Sequence, residues 1–364
     1  MNVTADSPLK SPGLNALANH NYLPHNGYAT IAQFVTATNT IFGMSLDLGL
    51  FLAVYGAAID GDGLGWSIGG RPEGGLLNLA QIGDGISNSH NKYESDVSPT
   101  RGDLYQPSSH ADDYSLQLNQ FQQLFDQQPN AATANYNIDV LTKFRAIRFG
   151  QSIAQNPYFF NAPFSGVIVQ PAAYTFIYRF FANHSAENVD GVLNQDVLKS
   201  FFAISGQSGN FTYTPGGERI PANWYRRSFT DEYSIPYLTL DTNIAALQYP
   251  QFLDIGGNTG TVNSFTGVDL QNLTGGVFNV ATLLQGNNLA CFGYQAAQQA
   301  LPDIVKNLVG PLVTDVLSDV TSLLASVSGA LSPVLNTLNC SQLVTIDTTQ
   351  LQQFPGYTKT PSTS

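Results

Sequence analysis

Apolar residues along this chain recur mostly at helical spacing, and alternation with period two is scarce. Behind Thr30, a residue type that caps helices, Ile31, Phe34, Val35, Ile41, Phe42, Leu48, Phe51, Leu52 and Tyr55 predict one helical run, which the glycine-dense stretch from Asp60 to Gly75 ends. Phe121, Leu124 and Phe125 predict a second helix, and Val140, Phe144 and Ile147 a third. The stretches Tyr174–Phe181 and Val192–Phe202 predict two more. Between Gly206 and Asn279 the composition turns to Gly, Asn, Thr, Pro and Tyr, which favours loops and turns. Within it, Gly256-Gly257-Asn258-Thr259-Gly260 has no preceding strand pattern, phosphate-binding frame or lysine, and reads as a turn. From Ile304 to Leu335 apolar residues line one nearly uncharged helical face, interrupted early by Pro311, and burial on the domain is its expected fate. Asp315 and Asp319 argue against a membrane span there. The fold class is therefore mainly α, with long irregular loops: a helical domain over 1–290, an amphipathic helical extension over 291–354 and a disordered tail over 355–364.

Composition narrows the partners more than the fold. Hydrophobic residues make up 43% of the 364 and charged residues 11%, so a sizeable core can be buried. A net charge of −12 with only 14 Lys and Arg and no basic run excludes nucleic acid as a partner. The polar, weakly charged remainder, with five Asn-x-Ser/Thr sequons at Asn2, Asn183, Asn210, Asn272 and Asn339, favours a glycoprotein of the secretory route. No charged-then-apolar leader opens the chain, so either one is trimmed or the protein is cytoplasmic. Cys291 and Cys340 are either one disulfide or two buried thiols. Paired, they would close a long loop worth about 4 kcal/mol. No nucleophile elbow, His-Glu-x-x-His site, Rossmann fingerprint or Walker loop is present.

Three motifs carry a resemblance. Ser11-Pro12-Gly13-Leu14-Asn15-Ala16-Leu17-Ala18-Asn19-His20 resembles the proximal motif of the fungal heme-thiolate peroxidases, the chloroperoxidase and unspecific peroxygenase (heme haloperoxidase) family. In that family the motif begins Pro-Cys-Pro, and the Cys thiolate is the axial ligand of heme iron. Here Ser11 stands at that position, or the Cys-Pro pair is deleted, and a serine hydroxyl lacks the electron push of a thiolate. Glu94-Ser95-Asp96-Val97-Ser98-Pro99-Thr100-Arg101-Gly102-Asp103 resembles the family's cation-binding motif. The resemblance implies Glu94, the Ser95 carbonyl and Ser98 as ligands of Mg²⁺ or Mn²⁺, which suit hard oxygen donors. Gln151 to Pro157 resembles the run before the family's distal helix. Counting on from Asn156-Pro157 puts Ser165 and Ala172 where the family carries its Arg and acid–base Glu. Neither can move a proton between peroxide oxygens. Arg179 and Glu187 lie nearby, displaced and misspaced.

The resemblance implies a helical peroxygenase-type domain whose central chemistry is altered. The expected function is a redox-neutral step (cyclisation, dehydration or isomerisation) on a hydrophobic small molecule of fungal secondary metabolism, with no cofactor. The acid–base candidates are Glu94, Asp96, His90, Tyr174 and His20. One alternative is a heme peroxidase with an imidazole from His20 or His25 as axial ligand. The other is a non-catalytic binder of an apolar metabolite.

Overall fold

A computed structural model describes residues 11–70, 85–107, 112–309, 329 and 338–358, with side chains described up to Gln299 in the long C-terminal helix. The chain opens with α1 (Pro12–Asn19), begun by Ser11 at the cap and Pro12 in the first turn. Strand β1 (Tyr28–Thr30) leads into α2 (Ile31–Phe42). The Thr30 hydroxyl accepts from Gln33 N–H while the Gln33 side chain accepts from Thr30 N–H, a complete capping box. The single run expected from Ile31 to Tyr55 is two helices, because Gly43 adopts a left-handed φ of 68° and stops α2 before α3 (Leu46–Ile59) starts. A side chain at Gly43 would put its Cβ 2.6 Å from Arg227 Cγ. Strand β2 (Gly65–Ser67) pairs antiparallel with β1, in the glycine-dense stretch expected to end the helical run.

Helices α4 (Leu118–Phe125), α5 (Ile138–Gln155) and α6 (Gln170–Phe181) follow where the apolar spacing places them. A π-helical turn, Ser165–Val169, runs directly into α6. The stretch from Val192 becomes helical only from Gln195, as α7 (Gln195–Phe201), because the Asn194 side chain caps its first turn by accepting from Val197 N–H. The region expected to be all loops and turns is corrected in part. It holds a hairpin, β4 (Ile204–Gln207) with β5 (Asn210–Tyr213), and the helix α8 (Ile235–Gln248). Gly256–Gly257, expected in a turn, is a short strand β6 between β3 (Phe160–Asn161) and β7 (Thr266–Gly267). Two short helices, α9 (Leu270–Leu273) and α10 (Val280–Leu283), precede α11 (Asn288–Val309).

One hydrophobic core runs through α1 to α8 and on into α11, whose Leu289, Phe292, Tyr294 and Ala297 are all at most 1% exposed. The boundary expected at 290/291 therefore cuts a helix that belongs to the main core. Cys291 and Cys340 are joined, their Cα atoms 5.4 Å apart, which ties α11 to the segment after residue 338. Most of the apolar face expected from Ile304 to Leu335 lies outside the described residues. The tail expected to be disordered from Pro355 instead forms a helical turn over Pro355–Thr358, with Gly356 buried against Tyr158. Among the described residues no helix is long and apolar enough to cross a membrane.

Candidate functional site

A cavity of 190 Å³ opens between the first turn of α1, the corner of α2 and α3, the loop Tyr93–Arg101 and the inner face of α6. Its walls are mostly apolar and aromatic, with Phe42 in ring contact with Phe180 and Phe181 and Phe51 in contact with Phe164. The packing is tight. A Cβ on Gly13 would come within 3.0 Å of the Phe181 ring, and Phe181 stacks on Phe201 at 4.1 Å and 7°. Ser11, half-buried at the mouth of α1, lines this cavity; its hydroxyl makes no capping bond. Ala172 and Ala173 line it from α6. Ser11 and Ala172, the residues expected at the ligand and acid positions, thus line one cavity. Ser165 lies outside the lining, 1% exposed in the π-helical turn.

The loop wall carries most of the polarity. Glu94, Ser98 and Arg101 border the cavity, and Ser98 Oγ accepts from Arg101 N–H at 3.3 Å. Ser95 is turned away, its hydroxyl donating to Asp96 O at 3.2 Å. Of the proposed oxygen ligands, Glu94 and Ser98 therefore share a wall as side chains. Among the described residues no group of three or more His, Cys, Asp or Glu side chains is arranged to hold a metal ion. One carboxylate with a hydroxyl and a backbone carbonyl is a sparse set, which Mg²⁺ would need water to complete.

The other candidates stand behind this wall. His90 Nδ1 lies 3.0 Å from Asp113 Oδ2, and Nε2 lies 3.8 Å from Asp96 Oδ1. Asp96 accepts from Leu104 N–H and Asn156 Nδ2, and Asp103 accepts from Val97 N–H and lies 3.5 Å from Arg148. Burial would lower the His90 pKa, but Asp96, Asp113 and Asp103 outweigh it and raise it to about 9. Burial and the Asp103 charge push Asp96 up to about 8, against the opposing pull of His90. Val97, a β-branched residue at φ 66°, is strained by about 1–3 kcal/mol. Asp103 on its N–H and the Tyr174 hydroxyl on its carbonyl, at 2.7 Å, hold it there. Tyr174, His90 and Asp96 are thus supports of the loop that presents Glu94, none of them lining the cavity.

His20 Nε2 accepts from Ile220 N–H and His25 bonds Asn21, so neither imidazole borders the cavity. Arg179 pairs with Asp241 at 2.7 Å, and Glu187 is exposed. Sequence reasoning missed the roles of Arg101, Arg145 and Arg148. Arg145 donates to Gln170 Oε1 and Gly166 O, fixing the π-helical turn, while Arg148 Nε donates to Ser98 O. Both sit on the inner face of α5 with Leu141 and Phe144, and an arginine pair on an apolar helical face was the available signal.

A thiolate-ligated heme does not fit this donor set. Both cysteines of the chain are consumed in the Cys291–Cys340 disulfide. The described lining residues that bear sulfur or a hydroxyl are Met44, Ser11, Ser98 and Tyr93, none of them a thiol. A thioether serves heme iron beside a histidine, and no histidine lines the cavity.

The profile of peroxidase, family 2, matches residues 10–229. The dothistromin biosynthesis peroxidase dotB of Dothistroma septosporum is 41% identical over 351 residues, which cover 95% of this chain and 81% of that protein. The aromatic peroxidase fscJ of Fusarium equiseti is 38% identical over 307 residues, covering 82% of this chain and 69% of its own. An aromatic peroxygenase of Coprinellus radians is 31% identical over 228 residues, 58% of this chain and 84% of its own. With its helical fold and a cavity walled by the first two motifs, the chain belongs to peroxidase family 2, the fungal heme-thiolate peroxidases and peroxygenases.

Proposed function

We propose that this member of the family has left heme-thiolate chemistry and acts on a hydrophobic metabolite by a redox-neutral cyclisation, dehydration or isomerisation. The observation that carries this reading is the cavity's donor set: Ser11 at the ligand position, Ala172 at the acid position, and no thiol left in the chain. A relative named for dothistromin biosynthesis, matched over 95% of this chain, supports a place in secondary metabolism. All three reactions can start by moving one proton, with the electron pair shifting onto a substrate oxygen and no oxidant consumed. Glu94 is the carboxylate among the described lining residues, and it is the group we assign to take and return that proton. The phenylalanine walls exclude water and so strengthen every polar contact made inside. Asp96, His90 and Tyr174 act as positioning residues for the loop. A second reading places Mg²⁺ or Mn²⁺ at Glu94, the Ser95 carbonyl and Ser98, favoured by Glu94 and Ser98 sharing the wall. Such an ion would polarise a substrate oxygen.

The test is the ultraviolet–visible spectrum of the purified protein before and after hemin and desalting, with elemental analysis of the same sample. The expected result is no retained Soret band. A strong band surviving desalting overturns the heme-free reading, and a sample without stoichiometric Mg or Mn after exposure to both removes the cation.

A further inference from the structure

We propose that Asn272 carries an N-linked glycan, whose innermost N-acetylglucosamine units lie in a polar groove between α9 and the turn Thr348–Leu351. Asn272-Leu273-Thr274 is one of the sequons of the chain and lies outside residues 10–229, the part matched by the family profile. Burial divides the motif. Leu273 and Thr274 are at most 1% exposed, whereas Asn272 points to solvent. Thr274 Oγ1 donates to Leu270 O at 2.8 Å and accepts from Phe278 N–H at 3.0 Å. A transferase has to reach that hydroxyl together with the Asn amide, so the sugar is added before α9 forms, and the fold must then leave room for it.

The fold leaves that room. Asn272 lines an open groove of 640 Å³ with Gln271, Gly275, Gly276, Asp347 and Gln350. Sites that hold small molecules measure about 300–1,000 Å³. Asp347 N–H donates to Leu273 O at 2.9 Å, which fixes the far wall against α9. Gly275 and Gly276, at φ 58° and 87°, have no atom within 4 Å of where a Cβ would stand, so the floor is bare backbone open to a sugar ring. Every side chain of the lining is an amide or a carboxylate. Amides donate and accept and a carboxylate accepts, which matches the hydroxyls and the acetamide of N-acetylglucosamine. Asn183 is the contrast among the sequons. Its Nδ2 donates to Asn223 O at 3.3 Å and its Oδ1 accepts from Tyr225 N–H at 2.8 Å, so the fold uses that amide itself.

The covalent step is a glycosyl transfer from a lipid diphosphate-linked oligosaccharide. Asn272 Nδ2 bonds to C1 of the reducing-end sugar, and the bond from C1 to the phosphate oxygen breaks. The lipid diphosphate leaves with that electron pair, one Nδ2 proton passes to a base of the transferase, and nothing is oxidised or reduced. The Cys291–Cys340 disulfide suits the oxidising compartment in which such transferases work.

Secretion of the full chain from yeast behind a fused leader, followed by amidase release of the glycans in heavy-oxygen water, tests the site. Release turns a glycosylated Asn into Asp with one heavy oxygen, read from peptide masses. The Asn272 peptide should carry the label. An unlabelled Asn272 overturns the proposal, whichever other sequon is labelled. Seating in the groove is read with an endoglycosidase that cuts between the innermost N-acetylglucosamine units. Release from Asn272 should be about ten-fold slower in the native protein than after unfolding, the protection given by one hydrogen bond to the sugar. Gln350→Ala, which removes part of a wall, should abolish the difference. Equal release from native and unfolded wild-type protein overturns the seating, and that comparison carries the test if the variant fails to fold.

Discussion

His90 concentrates the residue-scale electrostatics of this protein. It is 7% exposed, bonded to Asp113, and faced by Asp96 and Asp103, with Arg148 the cation balancing Asp103. Its folded pKa, raised to about 9 from 6.5, means that the folded chain holds a proton the unfolded chain releases between those values. Stabilisation from His90 is therefore complete below about pH 6.5 and lost as the pH climbs through 9. Asp96 and His90 face each other and titrate as one coupled pair, so the held proton is counted once. Urea unfolding midpoints should fall between pH 6.5 and 9, and His90→Asn should flatten that slope. A midpoint that rises across this interval would show that the cluster is not protonated as argued. In the sequence these residues looked like catalytic candidates because acid–base types stood close together. Which of them faces a cavity is a matter of side-chain direction, and the positive φ of Val97 between Asp96 and Ser98 is part of what sets it.

At the scale of elements, local signals worked where they concern backbone ends and failed where two packed faces were involved. Thr30 announced α2 because a cap is satisfied by residues three apart in sequence. The break at Gly43 was hidden, since apolar spacing continues across it and only the corner against Arg227 demands the glycine. Gly43→Ala should destabilise by about 1–2 kcal/mol through the left-handed backbone alone, with more from the Arg227 contact. Gly150→Ala is the opposite case: it lies inside α5 with open space around its Cα, and should stabilise by about 0.5–1 kcal/mol. Thermal melts of the two variants in parallel check both signs; equal shifts would refute the distinction. Helix α8 escaped notice for a different reason. It buries Ile235, Leu238 and Ala245, yet Leu240, Ile244 and Leu247 are exposed, so no apolar stripe stands out.

For the whole molecule, the long-range ties decide what the helices can do together. The Cys291–Cys340 disulfide closes 49 residues of sequence separation, and Gln295 on α11 adds bonds to Ser341 O and Leu343 N–H across the same junction. Replacing both cysteines by serine should lower stability by about 3–4 kcal/mol, read as a urea midpoint. An unchanged midpoint would mean that this junction contributes nothing to the core. The bond also suits an oxidising compartment. Ancestry, helical class, the serine in the proximal motif and the two cysteines available to pair were all determined by the sequence itself. Each is a matter of residue identity or of spacing within a few turns, where caps, periodicity and motif order act locally. Only the tertiary structure decided that Ser11, Glu94, Arg101 and Ala172 wall one cavity while His90, Asp96 and Tyr174 are not among its lining residues. That division rests on burial and packing between segments far apart in the chain, which no local pattern encodes.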